Sequence, residues 1–347
     1  MGLGFFGTSP APYSAYGFPE NQARVDADHA RIIADLRAHG VTLFDVGALR
    51  FKGFKDGQAV WDTEKAEKLA KAARDVGFPF LRMLAWEDGK LNEIALDPAA
   101  AARKHGFADG DAILKATYGT ANEICKQRGL PEPLFSFGDE PGTQPEMDKL
   151  LTLYANVRKA GAHGYICYST SHDLTRPLLD VLRVSSLNQA PLGDIQRAQK
   201  AGNTVWLNNQ GRNRWAYGAY MWKAHAAGIE AYQQFLYNGP HVDPYYPLDS
   251  IEDEESMVYP DREGILRPRL DYERIRQGLN DYRTLLLLKT LCEKAGAKGA
   301  AAWAPAAKGL DGLRFEDTAK DKRPQLTDAQ LDELRAAAVE GILALTK

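Results

Sequence analysis

The sequence predicts an α/β protein built as a (β/α)8 TIM barrel with an extra helix at the C-terminal end. Eight short runs rich in β-branched and aromatic residues alternate with helical stretches, a pattern typical of βαβ units and a parallel sheet. The eight units cover about 290 residues, which fits a barrel of ~250 residues with added loops. A doubly wound open sheet is the alternative. Its first strand usually leads into a glycine-rich phosphate turn, whereas here the first strand leads into GTSPAPYSAYG.

The elements of this barrel follow one another at short intervals along the chain. The predicted strands are 3–8, 41–46, 79–85, 134–138, 163–169, 183–188, 203–209 and 229–237. The predicted helices are 21–39, 62–76, 109–128, 144–160, 173–180, 192–201, 213–227 and 269–295. Ile32, Ile33 and Leu36 recur at helical spacing in the first helix, and Asp109 has the residue type of an N-cap.

The C-terminal part follows the barrel, which is assigned to residues 1–295, and occupies residues 296–347. Residues 296–325 are rich in Ala, Gly, Pro and Lys and are predicted to form a loop, as is the irregular stretch 238–267. Thr327 and Gln330 match a capping box that opens a last helix. Leucines and other apolar residues lie on one side of this helix, which predicts that it packs outside the barrel.

Composition excludes several classes of partner. The net charge of -3 and a pI of about 6.2 do not favour nucleic acid, and no run of 18 apolar residues predicts a membrane span. Cys125, Cys167 and Cys292 are expected to be buried thiols without a disulfide framework. The start MGLGFF has no signal peptide, so the chain is expected to be cytoplasmic, or secreted or periplasmic if a signal peptide was removed.

No cofactor is expected. The sequence contains no HExxH motif, and His241 and Asp243 are the only pair that indicates a metal site. A hydrolase with a catalytic serine would show a GxSxG turn, which is also missing.

The residues at the predicted strand ends indicate the chemistry, because (β/α)8 enzymes place their active sites at the carboxyl ends of the strands. These ends carry carboxylates, amides and aromatic rings, a lining that suits the hydroxyl groups and C–H faces of sugars. The sequence therefore predicts an oligosaccharide or glycoconjugate substrate. The residues predicted to bind it are Asp45, Trp86, Tyr168, Trp206, Asn208, Tyr237 and Tyr259.

Asp139 and Glu140, in the stretch PLFSFGDEPGT, are the candidate catalytic residues. Many retaining glycosidases need a second carboxylate about 5–5.5 Å away, often on the seventh strand, but this strand ends NTVWLNNQG. Two adjacent acids suit substrate-assisted hydrolysis, in which the 2-acetamido oxygen of the substrate attacks the anomeric carbon. Glu140 is then the general acid/base with a raised pKa, and Asp139 stays ionised and orients the acetamido group. The alternative is that Asp139 caps the next helix while Glu140 is solvated.

The stretch 214–287 contains a helix, a Tyr-Pro segment and a later helix with the pattern RxGxxDY. The residues that define these segments are Arg214, Trp222, Gly228, Tyr259, Pro260, Pro268, Arg276, Gly278, Asp281 and Tyr282. Together with the Asp139–Glu140 pair, they resemble the catalytic domain of glycoside hydrolase family 123. The resemblance implies β-N-acetylgalactosaminidase activity by the substrate-assisted route. Arg269 departs from the family pattern, and this sequence opens on the predicted barrel, where the family often has a β-sandwich first.

Several alternatives stay open at this point. The hydroxyl that stabilises the acetamido oxygen is expected to come from Tyr168, Tyr237 or Tyr259, which the sequence does not rank. A glycosidase that acts on other sugars would use Asp45 or Asp243 as its base, with a carboxylate separation of ~6.5–9.5 Å if it inverts. A barrel that binds glycans without cutting them is the other alternative. Arg276 and Asp281 are expected to form a structural ion pair within one helix.

Overall fold

The computed structural model describes residues 1–5, 22–47, 49–86, 89–170, 173–188, 190–208, 210–234, 257–260, 266–313, 315 and 326–347. Strands and short hairpins are interleaved with helices throughout these ranges. The strands are β1 (Gly2–Phe5), β2 (Leu43–Asp45), β3 (Arg50–Lys55), β4 (Gln58–Asp62), β5 (Phe80–Trp86), β6 (Pro133–Ser136), β7 (His163–Tyr168), β8 (Val184–Leu187), β9 (Thr204–Asn208), β10 (Ala231–Gln234), β11 (Val258–Pro260) and β12 (Leu266–Pro268).

Within the described ranges, thirteen α-helices accompany these strands. They are α1 (Gln22–Ala38), α2 (Glu64–Asp75), α3 (Gly89–Leu96), α4 (Pro98–His105), α5 (Gly110–Leu114), α6 (Thr120–Gln127), α7 (Gln144–Lys159), α8 (Leu178–Val181), α9 (Leu192–Lys200), α10 (Met221–Ala226), α11 (Leu270–Ala295), α12 (Ala297–Leu310) and α13 (Asp328–Thr346). Two π-helical turns, Lys115–Gly119 and Ala216–Tyr220, precede α6 and α10, and Asp173–Thr175 forms a 3-10 turn. None of the helices in the described ranges is long and apolar enough to cross a membrane.

Eight of the strands form a parallel barrel. Their order in the sheet is β1, β10, β9, β8, β7, β6, β5, β2. The first and last of these strands also meet: the Thr42 N–H donates to the Leu3 carbonyl at 3.1 Å, and the Leu3 N–H donates to Thr42 Oγ1 at 2.8 Å. The sheet therefore closes on itself, and the predicted (β/α)8 fold is confirmed.

Side chains alternate between the inside and the outside of this barrel, as pleated strands require. One residue from each of seven strands builds the inner core: Leu43, Leu84, Leu134, Tyr165, Val184, Trp206 and Ala231. Residues one position away, such as Phe135, Ile166 and Leu207, pack outward under the helices. The same parity places Cys167 and Asn208 on the inner face and Tyr168 on the outer face.

A hairpin and two helices near the start of the barrel were not predicted. Strands β3 and β4 pair in antiparallel fashion around Asp56 and Gly57, whose φ angles are 52° and 74°. Asp-Gly with two positive φ angles is the favoured two-residue hairpin turn, so this dipeptide was the available signal. Helices α3 and α4 lie between the predicted third strand and Asp109, which does cap α5 by accepting from the Ala112 N–H at 2.8 Å.

The prediction of a loop over 296–325 was wrong for its first half, which forms α12. Alanine-rich sequence has high helix propensity, and glycines serve here as contact points. A Cβ on Gly299 would lie 2.0 Å from the Cys292 carbonyl oxygen of α11, so only glycine permits this close packing. Helix α13 begins at Thr327 with the predicted capping box. The boundary between barrel and C-terminal part at residue 295 stays a prediction.

Four charged residues tie α13 and α11 to the segment before α10, and we call them the arginine–aspartate joint: Arg214, Asp281, Asp332 and Arg335. Arg214 Nε donates to Asp281 Oδ2 at 2.6 Å, and Arg214 Nη1 donates to Asp332 Oδ1 at 2.6 Å. Arg335 Nε donates to Asp281 Oδ1. The predicted Arg276–Asp281 pair is wrong, because Asp281 faces Arg214 across the helix contact.

The remaining motif residues serve the same helix contact. Arg276 pairs with Glu273 at 2.6 Å, one turn earlier in α11. A Cβ on Gly278 would lie 2.4 Å from the Arg214 carbonyl oxygen, so glycine lets the two segments touch. The Tyr282 hydroxyl lies 2.7 Å from His225 Nδ1. Arg214, Gly278, Asp281 and Tyr282 of the C-terminal motif therefore hold helices together.

Candidate active site

The acid pair Asp139–Glu140 lies just past the carboxyl end of β6, where (β/α)8 enzymes place their catalytic groups. Both side chains are exposed to solvent. A Cβ on Gly138 would lie 3.2 Å from Leu150 Cδ2, so the glycine allows the turn to rest closely on α7. The two acids therefore leave the strand at the open end of the barrel.

Helix α7 does not use Asp139 as its cap. Thr143 is the N-cap: its Oγ1 accepts from the Glu146 N–H at 3.5 Å, and Glu146 Oε2 accepts from the Thr143 N–H at 3.0 Å. The Gly142 N–H also donates to Glu146 Oε2 at 2.9 Å. Since this capping box supplies the helix start, the alternative role for Asp139 that the sequence left open is excluded.

Glu140 is held in an unusual backbone conformation. Its φ angle is 37°, in the left-handed region that non-glycine residues rarely adopt and that costs about 1–3 kcal/mol. Its N–H donates to the Cys167 carbonyl at 3.2 Å, and Asn188 Nδ2 donates to Glu140 Oε1 at 3.2 Å. The ends of β7 and β8 thus hold this carboxylate. Asn188 stood at a predicted strand end, but its contact with Glu140 could not be read from the sequence.

Asp139 titrates near neutrality. Although the residue as a whole is exposed, partial desolvation of its carboxyl and, after it, the negative charge of Glu140 raise its pKa to about 6, against a smaller opposite effect of the Glu140 N–H. The sequence analysis expected Asp139 to stay ionised. With this pKa the carboxyl is mostly ionised at pH 7 and mostly protonated at pH 5.

Cys167, Ser186, Asn208 and Gln210 lie beside the acids at the inner face of the barrel. Asn208 Nδ2 donates to Cys167 Sγ at 2.8 Å, and Gln210 Nε2 donates to the Asn208 carbonyl at 2.7 Å. Burial and then the nearby charges of Asp139 and Glu140 raise the pKa of the Cys167 thiol far above its usual value. Cys167 is therefore a neutral thiol at physiological pH. The three cysteines are buried and free, as predicted.

Asp45, a predicted substrate-binding residue, is engaged inside the barrel. Its Oδ1 accepts from the Leu84 N–H at 3.1 Å and from the Gly47 N–H at 2.9 Å, and its Oδ2 lies 3.6 Å from Arg82 Nε. Burial raises the pKa of this carboxyl, and Arg82 opposes the increase. These contacts assign Asp45 to holding β2 against β5.

Two aromatic residues that were predicted to line the mouth do not do so. The Trp206 ring points into the inner core below Arg82, whose Cζ lies 5.4 Å from the ring centroid. Trp206 also lines a cavity of about 650 Å³ at the opposite, amino end of the strands, beside Phe80 and Glu230. Tyr168 is fully buried on the outer face, where its hydroxyl donates to Ser185 Oγ at 3.1 Å. The expectation of substrate contact at these two residues is therefore wrong.

Three further predicted residues cannot be placed as side chains. Trp86 ends β5 in register with Ser136, and Tyr259 lies in β11, but their side chains lie outside what the structure describes. Tyr237, with the predicted metal pair His241 and Asp243, lies outside the described residues. Among the residues that are described, no group of His, Cys, Asp and Glu side chains could hold a metal ion.

The fold is similar to that of solved glycoside hydrolases. A family 123 glycoside hydrolase from Clostridium perfringens superimposes with a TM-score of 0.57 and 10% identity, over 99% of this chain and 68% of that chain. The β-glycosidase of Thermosphaera aggregans gives a TM-score of 0.46 and 9% identity, over 81% of this chain and 96% of that one. No protein-family pattern and no curated protein sequence matches the chain. The likeness to the Clostridium enzyme confirms the resemblance to family 123 at the level of the fold.

Proposed function

We propose that the protein is a glycoside hydrolase that cleaves β-linked 2-acetamido sugars, with N-acetylgalactosamine favoured, by a substrate-assisted retaining mechanism. The observation that carries this proposal is the Asp139–Glu140 pair at the carboxyl end of β6. The carboxyl end of β9, where many retaining glycosidases have their second carboxylate, carries Asn208 instead of an acid. The fold shared with a family 123 glycoside hydrolase supports the same reading.

Glu140 is the proposed general acid/base. In the first step its carboxyl donates a proton to the leaving glycosidic oxygen, and in the second step its carboxylate removes a proton from the attacking water. The hydrogen bond from Asn188 and the fixed backbone support this role, because proton transfer needs a carboxyl held within about 3 Å of the reacting oxygen.

Asp139 is the proposed partner of the acetamido group. Its carboxylate accepts the acetamido N–H, which makes the acetamido oxygen more nucleophilic as that oxygen attacks the anomeric carbon. The glycosidic bond breaks as the new C–O bond forms. Water then opens the resulting cyclic intermediate, so that the sugar is released with its original configuration. A pKa of about 6 keeps Asp139 mostly ionised at pH 7, as this role requires.

The contacts of Asp45 argue against it as the second carboxylate of a conventional mechanism. Both of its oxygens are already engaged by backbone N–H groups or Arg82 within the barrel. A base must be able to reach water or substrate, and a residue that joins two strands would lose those bonds if it turned away.

The test measures turnover of an aryl 2-acetamido-2-deoxy-β-D-galactoside beside the same aryl β-D-galactoside. Glu140→Gln and Asp139→Asn are compared with Asp148→Asn, which removes an exposed carboxylate of α7 with the same chemical change. We expect cleavage of the acetamido sugar alone, a loss of 10²–10⁴-fold in kcat for both active-site variants and no change in the control.

Other outcomes would overturn the proposal. Equal cleavage of both sugars, or full activity of Asp139→Asn, would place the nucleophile elsewhere in the barrel. Binding without cleavage of either sugar would indicate a glycan-binding barrel.

A further inference from the structure

Three side-chain amides at the open end of the barrel share one arrangement. Asn188 donates its N–H to Glu140, Asn208 donates to Cys167 Sγ, and Gln210 donates to the Asn208 carbonyl. In each case the amide NH₂ is used within the protein.

The acceptors determine which way two of these amides point. An ionised carboxylate and a backbone carbonyl can only accept hydrogen bonds, so the NH₂ groups of Asn188 and Gln210 must face them. The side-chain oxygens of both residues consequently point the other way.

The three amide oxygens have no hydrogen-bond partner in the described part of the chain, although all three atoms are buried. Asn208 and Gln210 are only 1% and 2% exposed. Ser186, buried next to them, contacts the Cys167 thiol with its side chain. Buried acceptors are nearly always satisfied in folded proteins, so a group of them beside catalytic acids indicates a ligand that donates.

We propose that Asn188, Asn208 and Gln210 form an acceptor subsite for the hydroxyl groups of a neutral sugar ring, and that this subsite rejects a ring carrying a carboxylate. The inference rests on the proposed function, because the subsite lies beside the acid pair. It adds that the bound sugar must offer hydroxyl groups as donors and carry no carboxylate. A hydroxyl can donate to an amide oxygen, whereas a carboxylate can only accept and would meet these oxygens and the acids Asp139 and Glu140 with repulsion.

The alternative ligand for these amide oxygens is a hard cation such as calcium. Calcium takes 6–8 oxygen ligands, several of them carboxylates. The amide oxygens are neutral, only the two carboxylates of the acid pair lie near them, and the described residues contain no group of three or more His, Cys, Asp and Glu side chains that could hold a metal ion. The geometry therefore favours a hydroxyl donor.

The test is a binding measurement that does not depend on turnover. Isothermal titration calorimetry measures the Kd of two ligands. The first is a non-hydrolysable S-linked phenyl 2-acetamido-β-D-galactoside, and the second is the same compound with C6 oxidised to a carboxylate. Gln210→Met and Asn208→Leu remove one acceptor each. Asn203→Leu is the matched control, because Asn203 is a buried amide at the opposite end of β9 that donates to the Leu179 carbonyl. Thermal melting confirms that each variant is folded.

We expect the neutral ligand to bind about tenfold more weakly to each acceptor variant and unchanged to the control, since a lost hydrogen bond corresponds to about one decade in Kd. The acidic ligand should bind at least tenfold more weakly than the neutral one to the wild type. Equal binding of both ligands, or unchanged affinity in Gln210→Met and Asn208→Leu, would overturn the inference. Saturable binding of calcium chloride that both variants abolish would overturn it too. Selective binding without cleavage would refute the proposed function alone.

Discussion

Two groups of polar side chains in the described part of the chain differ in how fully they are satisfied. In the arginine–aspartate joint, Arg214 contacts two aspartates and Asp281 contacts two arginines. At the open end of the barrel, by contrast, three amide oxygens have no partner in the described residues, and two carboxylates stand side by side. Both groups lie against the same barrel.

The difference indicates that the first group stabilises the fold and that the second group is suited to bind a ligand. A satisfied buried ion pair holds elements in one arrangement, and loss of one partner leaves an uncompensated charge. Unsatisfied acceptors, a residue at positive φ and a raised carboxyl pKa all lower the stability of the free protein, and such features collect where a ligand later supplies the missing contacts. The comparison predicts that substitutions in the joint destabilise the protein, whereas substitutions at the open end change activity.

Asp281→Ala should give the largest effect on stability. The change leaves Arg214 buried with only the exposed Asp332 as a partner, so we expect the free energy of unfolding to fall by about 3–5 kcal/mol. Urea unfolding followed by circular dichroism measures this loss. If stability falls by less than about 1 kcal/mol, the joint is not the element that holds α11 on the barrel.

Asn188→Ala should affect activity more than stability. Without the hydrogen bond to Glu140 Oε1, the carboxyl is less well positioned, and we expect kcat to fall about 10–50-fold with a smaller change in KM. Rescue by Asn188→Gln of part of kcat would support positioning, while a rise in KM with kcat unchanged would contradict it.

Asp139→Asn should make the protein more stable at neutral pH. The folded state holds the Asp139 proton more tightly than the unfolded chain, because the pKa rises to about 6 from its ordinary 3.8. The contribution of this group to the free energy of unfolding therefore falls as pH rises from about 4 to about 7. Solvent screens this exposed pair, so we expect a gain of up to about 1 kcal/mol at pH 7 and none at pH 4.

Denaturant unfolding of wild type and Asp139→Asn at both pH values checks this sign. Asp148→Asn serves as the control, with no pH-dependent difference expected. A gain that is equal at pH 4 and pH 7 would mean that charge repulsion at the acid pair is not its source.

Asp332→Ala should give the smallest effect. Asp332 pairs with the same Arg214 as Asp281 does, but its side chain is 70% exposed compared with 4% for Asp281. Exposed ion pairs contribute about 0–1 kcal/mol, so we expect a loss of about 0.5 kcal/mol in the same unfolding assay. A loss as large as that of Asp281→Ala would show that the two aspartates act as one unit.

Local patterns in the sequence determined much of the architecture. The alternation of strands and helices predicted the closed barrel, and the turn after β6 placed Asp139 and Glu140 at its open end, because these features depend on residues near one another in the chain. Capping residues located the starts of α5 and α13 for the same reason. The Asp-Gly turn between β3 and β4 carried an equally local signal that the prediction did not use.

Only the tertiary structure decided which strand-end side chains face the open end. A shift of one residue along a strand moves a side chain to the other face, and the outward position of Tyr168 and the inward position of Trp206 below the mouth depend on such single steps. The partner of Asp281 lies 67 residues away on another element, so helix spacing pointed to the wrong arginine. The contact of Asn188 with Glu140 spans 48 residues and exists only because β6 and β8 end at the same rim of the barrel.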